Sequence, residues 1–217
     1  TDSHRPIAPG GTPNAGGTPN AGGTPNAGGT PNMRIAISGK SGCGNTTVSR
    51  LLAQKLGYRF INFTFRSLAA EKNIPFEEVL KKAAQDDWWD REVDARQVAL
   101  ARQEGPCVLG SRLAIWMLPE ADLKVYLDAS DRVRAERIQK REGGDIDAIA
   151  AFTRSRDEND SARYIRLYDI DNHDKAAADL VIMTDKRSPE EIVDFIIAEL
   201  ERRSAHKAAQ EGPGRQR

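Results

Sequence analysis

Nine residues, Gly39-Lys-Ser-Gly-Cys-Gly44-Asn-Thr-Thr47, constrain this chain more than any others. They follow a short apolar run, Arg34-Ile-Ala-Ile-Ser38, and lead into Val48, Leu51, Leu52 and Leu56 at helical spacing. Gly39 and Gly44 stand at the spacing of the phosphate-binding loop, G-x-x-x-x-G-K-[ST]. Glycines let the backbone curl with its N–H groups inward, and the helix start adds partial positive charge, which together make an anion cradle. Gly39, Lys40, Ser41, Gly42, Cys43, Gly44, Asn45, Thr46 and Thr47 are therefore expected to bind nucleotide phosphates. Thr46 falls where the motif's hydroxyl would ligate Mg²⁺, whereas Asn45 falls where the motif has lysine. A dinucleotide fingerprint does not fit, because Gly42-x-Gly44 is followed by Asn-Thr-Thr with no third glycine.

Upstream, Gly-Gly-Thr-Pro-Asn occurs four times within residues 1–32. Each unit is turn chemistry without a large apolar side chain, so this extension is expected to be disordered. The fold is expected to span 33–203, starting at Met33, with 204–217 a disordered polar tail. Within it, strands are predicted at Arg34–Ser38, Tyr58–Ile61, Cys107–Leu109, Asp122–Leu127 and Leu180–Met183. Helical patterns separate them, and the last is launched by the capping box Ser188-Pro-Glu-Glu191 and runs to about Arg202. Short strands alternating with helices mean an α/β fold with a five-stranded parallel sheet, whose ligand lies at the carboxyl ends of the strands.

Composition narrows the classes. Thirty-two basic and 32 acidic residues cancel, which argues against a nucleic-acid surface. The apolar runs are too short to cross a bilayer, and two cysteines make no disulfide framework, so a reducing cytoplasmic setting is expected. Nothing in the sequence calls for an obligate protein partner.

The remaining chemistry lies in arginines and carboxylates. Arg66 and Arg112 fall at the carboxyl ends of predicted strands, where an anionic ligand is expected. Arg156-x-x-x-Asp160-x-x-Arg163 puts two cations and a carboxylate on one helical face. Such a set suits a phosphate plus a ribose hydroxyl, or a structural ion network. Asp90, Asp94 and Gln97 share another face, readable as a solvated stripe or as a reader of a base edge.

From Met33 to about Arg202 the chain resembles the archaeal and spirochaete type of cytidylate kinase, within the nucleoside monophosphate kinases. The resemblance is carried by Gly39 to Thr47, Phe65-Arg66-Ser-Leu-Ala69, Asp90-Arg-Glu-Val-Asp94-Ala-Arg-Gln97 and Val108-Leu-Gly-Ser-Arg112-Leu. It continues in Ala121-Asp-Leu-Lys, Val133-Arg134-Ala-Glu-Arg137-Ile and Arg156-x-x-x-Asp160-x-x-Arg163-Tyr164. It implies a P-loop fold with helices on both sheet faces, a CMP-binding insertion after the second strand, and an arginine-bearing lid spanning Gly143-Gly144 into Arg154. It also implies that residues 39–47 hold ATP with Mg²⁺, that Arg66, Arg134 and Arg163 clamp the phosphate of CMP or dCMP, that Arg112 contacts the base, and that Arg156 and Asp160 reach the ribose. Asp94 or Gln97 is the expected cytosine reader. With Asn45 in place of lysine, the missing charge is expected from Lys40, placed like the signature lysine of deviant P-loops, or from Arg154 and Arg156. Rival readings are an AMP or UMP kinase, differing in its base contacts, and a nucleotide-binding module without transfer activity.

Overall fold

The computed structural model describes residues 33–210; the four repeats, with the disorder expected of them, and residues 211–217 lie outside that span. Five strands form one sheet: β1 (Arg34–Gly39), β2 (Arg59–Ile61), β3 (Cys107–Gly110), β4 (Leu123–Asp128) and β5 (Leu180–Met183). The spatial order is β2-β3-β1-β4-β5 and every pairing is parallel. The helices are α1 (Asn45–Leu56), α2 (Phe65–Lys72), α3 (Phe76–Ala83), α4 (Trp88–Arg102), α5 (Ala114–Met117), α6 (Asp131–Glu142), α7 (Ile146–Tyr168) and α8 (Pro189–Gln210).

The pleat sorts each strand's residues between two cores. Ile35 and Ile37 join Leu123, Val125 and Leu127 on the face covered by α1 and α8, with Val48, Leu52, Ile192, Val193 and Ile196. Ala36 and Tyr126 point the other way, into a core with Val98, Ala101, Ala114 and Ile115 of α4 and α5. A third, smaller core of Leu68, Val79, Trp89 and Val93 belongs to α2, α3 and α4, the insertion after β2. The tryptophans pack rather than form a stacking ladder: Trp88 lies edge-on to Trp89, and Trp116 edge-on to Tyr126.

Three boundaries differ from the sequence reading. α5 has four residues, too few to leave a periodic signal. α3 begins at Phe76 with Pro75 as its N-cap, a helix start that proline placed in the first turn would put one residue earlier. α8 continues to Gln210, so residues 204–210 are helical where a disordered polar tail is expected. Glu199 pairs with both Arg202 and Arg203 across successive turns, which supports a helix lacking an apolar stripe there.

Candidate active site

The 39–47 loop is the turn between β1 and α1, at the carboxyl edge of the sheet. Gly44 caps α1 with φ 93°, and Gly42 has φ 83°. At Gly42 a Cβ would also meet the Arg134 backbone at 2.9 Å, so a side chain is excluded both by conformation and by space. The loop carbonyls are tied from outside. Arg134 Nε donates to Ser41 O at 2.7 Å, Arg137 to Gly42 O at 3.2 Å, and Thr184 Oγ1 to Cys43 O at 3.3 Å. Within the loop the Cys43 N–H donates to Lys40 O at 3.2 Å, and the carbonyls held from outside keep the backbone in a curl of the kind a phosphate cradle requires. Burial pushes the Cys43 thiol up to about 11, so it stays a protonated packing group.

Asn45 is used structurally. Its Nδ2 donates to Ser111 O at 3.0 Å, and its Oδ1 accepts from Ser49 Oγ at 3.3 Å. The amide thereby ties the start of α1 to the residue after β3, and an ammonium could not make the second bond. Lys40 Nζ lies 3.3 Å from His173 Nδ1, in the segment between α7 and β5. Thr46 and Thr47 are exposed at the first turn of α1, and Asn62 Nδ2 faces Thr46 Oγ1 at 3.4 Å.

Across from the loop stands a cluster of arginines and carboxylates. Arg112 donates to Ser41 Oγ at 2.8 Å and pairs with Asp160. Asp160 also takes Arg163 at 2.7 Å, and Arg163 reaches toward Asp90 at 3.5 Å. The sequence-derived Arg112, Asp160 and Arg163 are thus brought together against the phosphate loop. Burial, followed by the charges of Arg156 and Arg163, pulls the Arg112 guanidinium below its ordinary value. Gly39, Lys40, Arg112, Asp157 and Asp160 line a small cavity of about 10 Å³. A larger groove of about 450 Å³, along Val181, Met183 and Phe195 at the β5 edge, lies away from these charges.

Asp94 and Gln97 are adjacent on α4. Gln97 Nε2 donates to Asp94 Oδ1 at 3.3 Å, Tyr168 OH donates to Asp94 Oδ2 at 2.8 Å, and Gln97 Oε1 is buried without a partner. Burial raises the Asp94 carboxyl to about 6 despite the Tyr168 hydrogen bond. Both Asp94 oxygens are occupied, whereas Gln97 Oε1 is an open acceptor.

Arg134, expected to clamp a phosphate, makes its contacts with the loop and two carboxylates. It is 2% exposed beneath the loop, with its guanidinium divided among Ser41 O, Asp131 at 3.2 Å and Asp157 at 2.5 Å. Arg66 is exposed and lies over the Phe76 ring, 4.0 Å from its centroid, rather than against the Asp160 cluster. Arg154 and Arg156 are exposed on α7 and form no ion pair among the described residues. Arg137, Asp157, Tyr168, His173 and Thr184 were not signalled by sequence. Arg137 lies within a motif, but no local pattern marks the others.

Among the described residues no group of three or more His, Cys, Asp or Glu is arranged to hold a metal. Mg²⁺ keeps hard oxygen ligands and is commonly bound through substrate phosphates with one or two protein groups. The exposed Thr46 hydroxyl at the head of the cradle fits that donor set. No helix among these residues is long and apolar enough to cross a membrane.

The model of the cytidylate kinase-like family matches residues 34–186. "Cytidylate kinase 2" of Borreliella burgdorferi is 47% identical over 179 residues, covering 81% of this chain and 99% of that protein. "Cytidylate kinase" of Pyrococcus horikoshii is 41% identical over 169 residues, covering 77% and 88%. Among solved structures, shikimate kinase from Acinetobacter baumannii aligns with TM-score 0.57 at 16% identity, covering 79% and 94%. That likeness concerns the fold, which is that of P-loop kinases.

Proposed function

The chain belongs to the cytidylate kinase-like family, and from that premise we propose that it transfers the γ-phosphoryl group of ATP to CMP or dCMP, giving ADP and CDP or dCDP. One observation carries the reading at the site. Arg112 bonds Ser41 of the phosphate loop with one nitrogen and pairs with Asp160 of the opposite wall through another, so donor and acceptor positions adjoin.

In this reading the N–H groups of residues 39–47 hold the ATP phosphates. Thr46 would hold Mg²⁺ together with phosphate oxygens, and the ion would neutralise charge on the β- and γ-phosphates. The acceptor is already an anionic phosphate, so no strong base is needed; orientation and charge neutralisation suffice. Arg163 exchanges its carboxylates for the CMP phosphate; Arg112, expected at the base, lies against the phosphate loop and takes the phosphate instead, and Asp160, once released, is available to the ribose. Exposed Arg66, Arg154 and Arg156 are free to close on the ligands. Lys40 supplies the charge that Asn45 lacks. Arg134 and Arg137 act through the loop backbone.

Gln97 Oε1 is the better base reader of the α4 pair. It can accept from the cytosine amine, where uracil would offer a second acceptor. Two free buried thiols support a reducing, cytoplasmic setting.

The test is ADP release with CMP, dCMP, UMP and AMP as acceptors. CMP or dCMP is expected to give the highest kcat/KM. Preference for AMP or UMP would overturn the substrate assignment, and ATP binding without ADP release from any monophosphate would overturn transfer.

A further inference from the structure

We propose that His173 is a positioning residue for phosphoryl transfer, whose Nδ1 lone pair holds the Lys40 ammonium at the mouth of the phosphate loop. The inference rests on the reading that Lys40 supplies the charge missing at Asn45.

Hydrogen-bond direction can be followed from the lysine inward. An ammonium only donates, so His173 Nδ1, 3.3 Å from Lys40 Nζ, must be the acceptor. The neutral ring then carries its proton on Nε2, which lies 3.0 Å from Ser161 Oγ and donates to it. With its oxygen accepting from the imidazole, Ser161 sends its own proton to Asn172 Oδ1 at 2.6 Å. Each of the four groups has one role, and any other ring tautomer would set two donors against each other at Lys40. Ser161 and Asn172 are buried, so the inner end of the relay is fixed. The segment bearing His173 is pinned as well: the His173 N–H donates to Asp171 Oδ1 at 2.9 Å, and Lys175 pairs with Asp128 at the end of β4.

A lysine side chain is long and rotatable, and nothing in a phosphate loop itself dictates where a residue right after its first glycine points. The imidazole provides that direction before ATP arrives, leaving less reorganisation for the reaction itself. Lys40 borders the same small cavity as Arg112 and Asp160, so an ammonium held there faces the space into which phosphates must enter.

Two substitutions separate the two ring nitrogens. Asparagine puts its carbonyl oxygen near the Nδ1 position, while glutamine puts its amide near Nε2. In the full chain, kcat and the KM values for ATP and CMP are to be measured for Lys40→Ala, His173→Ala, His173→Asn, His173→Gln and Lys40→Ala/His173→Ala, with thermal melts of each. Lys40→Ala is expected to lower kcat about ten- to a hundredfold. His173→Ala and His173→Gln should lower kcat about five- to tenfold with the KM for CMP unchanged, and His173→Asn should recover most of that loss. In the Lys40→Ala background His173→Ala should add nothing. Equal kcat for the asparagine and glutamine variants, full activity of His173→Ala, or additivity in the double variant overturns the positioning role while a slow Lys40→Ala leaves the lysine reading standing. Wild-type kcat in Lys40→Ala removes the lysine reading and this inference with it. A loss of kcat that follows the melting temperature across the set would mark His173 as structural only.

Discussion

Under the proposed function the site has a donor wall and an acceptor wall, and the two hold charge in opposite ways. On the donor wall, Arg134 is buried and divided among a loop carbonyl and two carboxylates, and Arg137 and Thr184 hold neighbouring carbonyls. In that reading these contacts brace the loop backbone and are kept when ATP binds. On the acceptor wall the side chains of Arg112 and Arg163 are 25% and 33% exposed and both pair with Asp160, which with Arg112 borders the cavity. In the proposed function those pairs give way to the substrate phosphate. Under that function the contrast is between a wall preorganised through backbone for a constant ligand and one whose ion pairs exchange as the ligand arrives, reacts and leaves.

The sharpest way to break the comparison is Arg134→Ala. Removing one partner of a buried ion pair leaves Asp157 uncompensated and costs about 3–5 kcal/mol. At about 2–4 °C per kcal/mol for a fold of this size, Tm should fall by roughly ten degrees, and ATP binding should fall with it. A stable Arg134→Ala protein with normal ATP affinity but poor CMP turnover would instead return Arg134 to the acceptor phosphate.

Arg163→Ala probes the other wall. Loss of a charge-assisted contact to the CMP phosphate should lower kcat/KM for CMP by about thirty- to a hundredfold, or 2–3 kcal/mol. ATP affinity should be unchanged and Tm should move by only a few degrees. Unaltered CMP kinetics would take Arg163 out of the site, and a large Tm loss would make the acceptor wall as rigid as the donor wall.

A smaller effect comes from Asp94, whose carboxyl is lifted by burial from 3.8 to about 6. Between those values the unfolded chain gives up the proton while the folded one keeps it, so stability falls as pH rises through that window and stays lower above it. Asp94→Asn removes the penalty and should stabilise the protein by on the order of 2 kcal/mol at pH 7.5, with no gain below pH 4. Gln97 can turn its amide to donate or accept as the new neighbour requires. Denaturant melts of both proteins at pH 4 and 7.5 check this; a gain that is the same at both values would mean that burial of the charge is not its source.

Much of the frame was legible because its signals are local. The alternation through Leu123, Val125 and Leu127, the Ser188 capping box and the glycine spacing at 39–44 each report on a few neighbouring residues. Arg112, Asp160 and Arg163 were found because strand ends and helix faces put them on one side. The station of Arg134 was not, since an arginine on a charged helix reads alike whether that turn meets water or the underside of a loop. What decides it is the close approach of Gly42 to the Arg134 backbone, a tertiary fact. His173 left no sign for a similar reason: its partners, Lys40 and Ser161, come from β1's end and from α7. Asn45 was legible as a departure but not as a brace, because Ser111 and Ser49 become its partners only once β3 lies beside β1.

The central place of β1 also sets an order of assembly during translation. Arg34 pairs opposite Cys107, and Ile35 opposite Leu123, so the first strand of this sheet to leave the ribosome has no neighbour until two much later ones emerge. Such long-range pairing is slow to form and leaves an apolar segment waiting. The loop at its end waits longer still, for Arg134 and then Thr184 to reach its carbonyls. The nucleotide cradle is thus among the first parts of this fold to be synthesised and among the last to be completed, and a nascent chain cannot capture ATP through it until nearly the whole sheet exists.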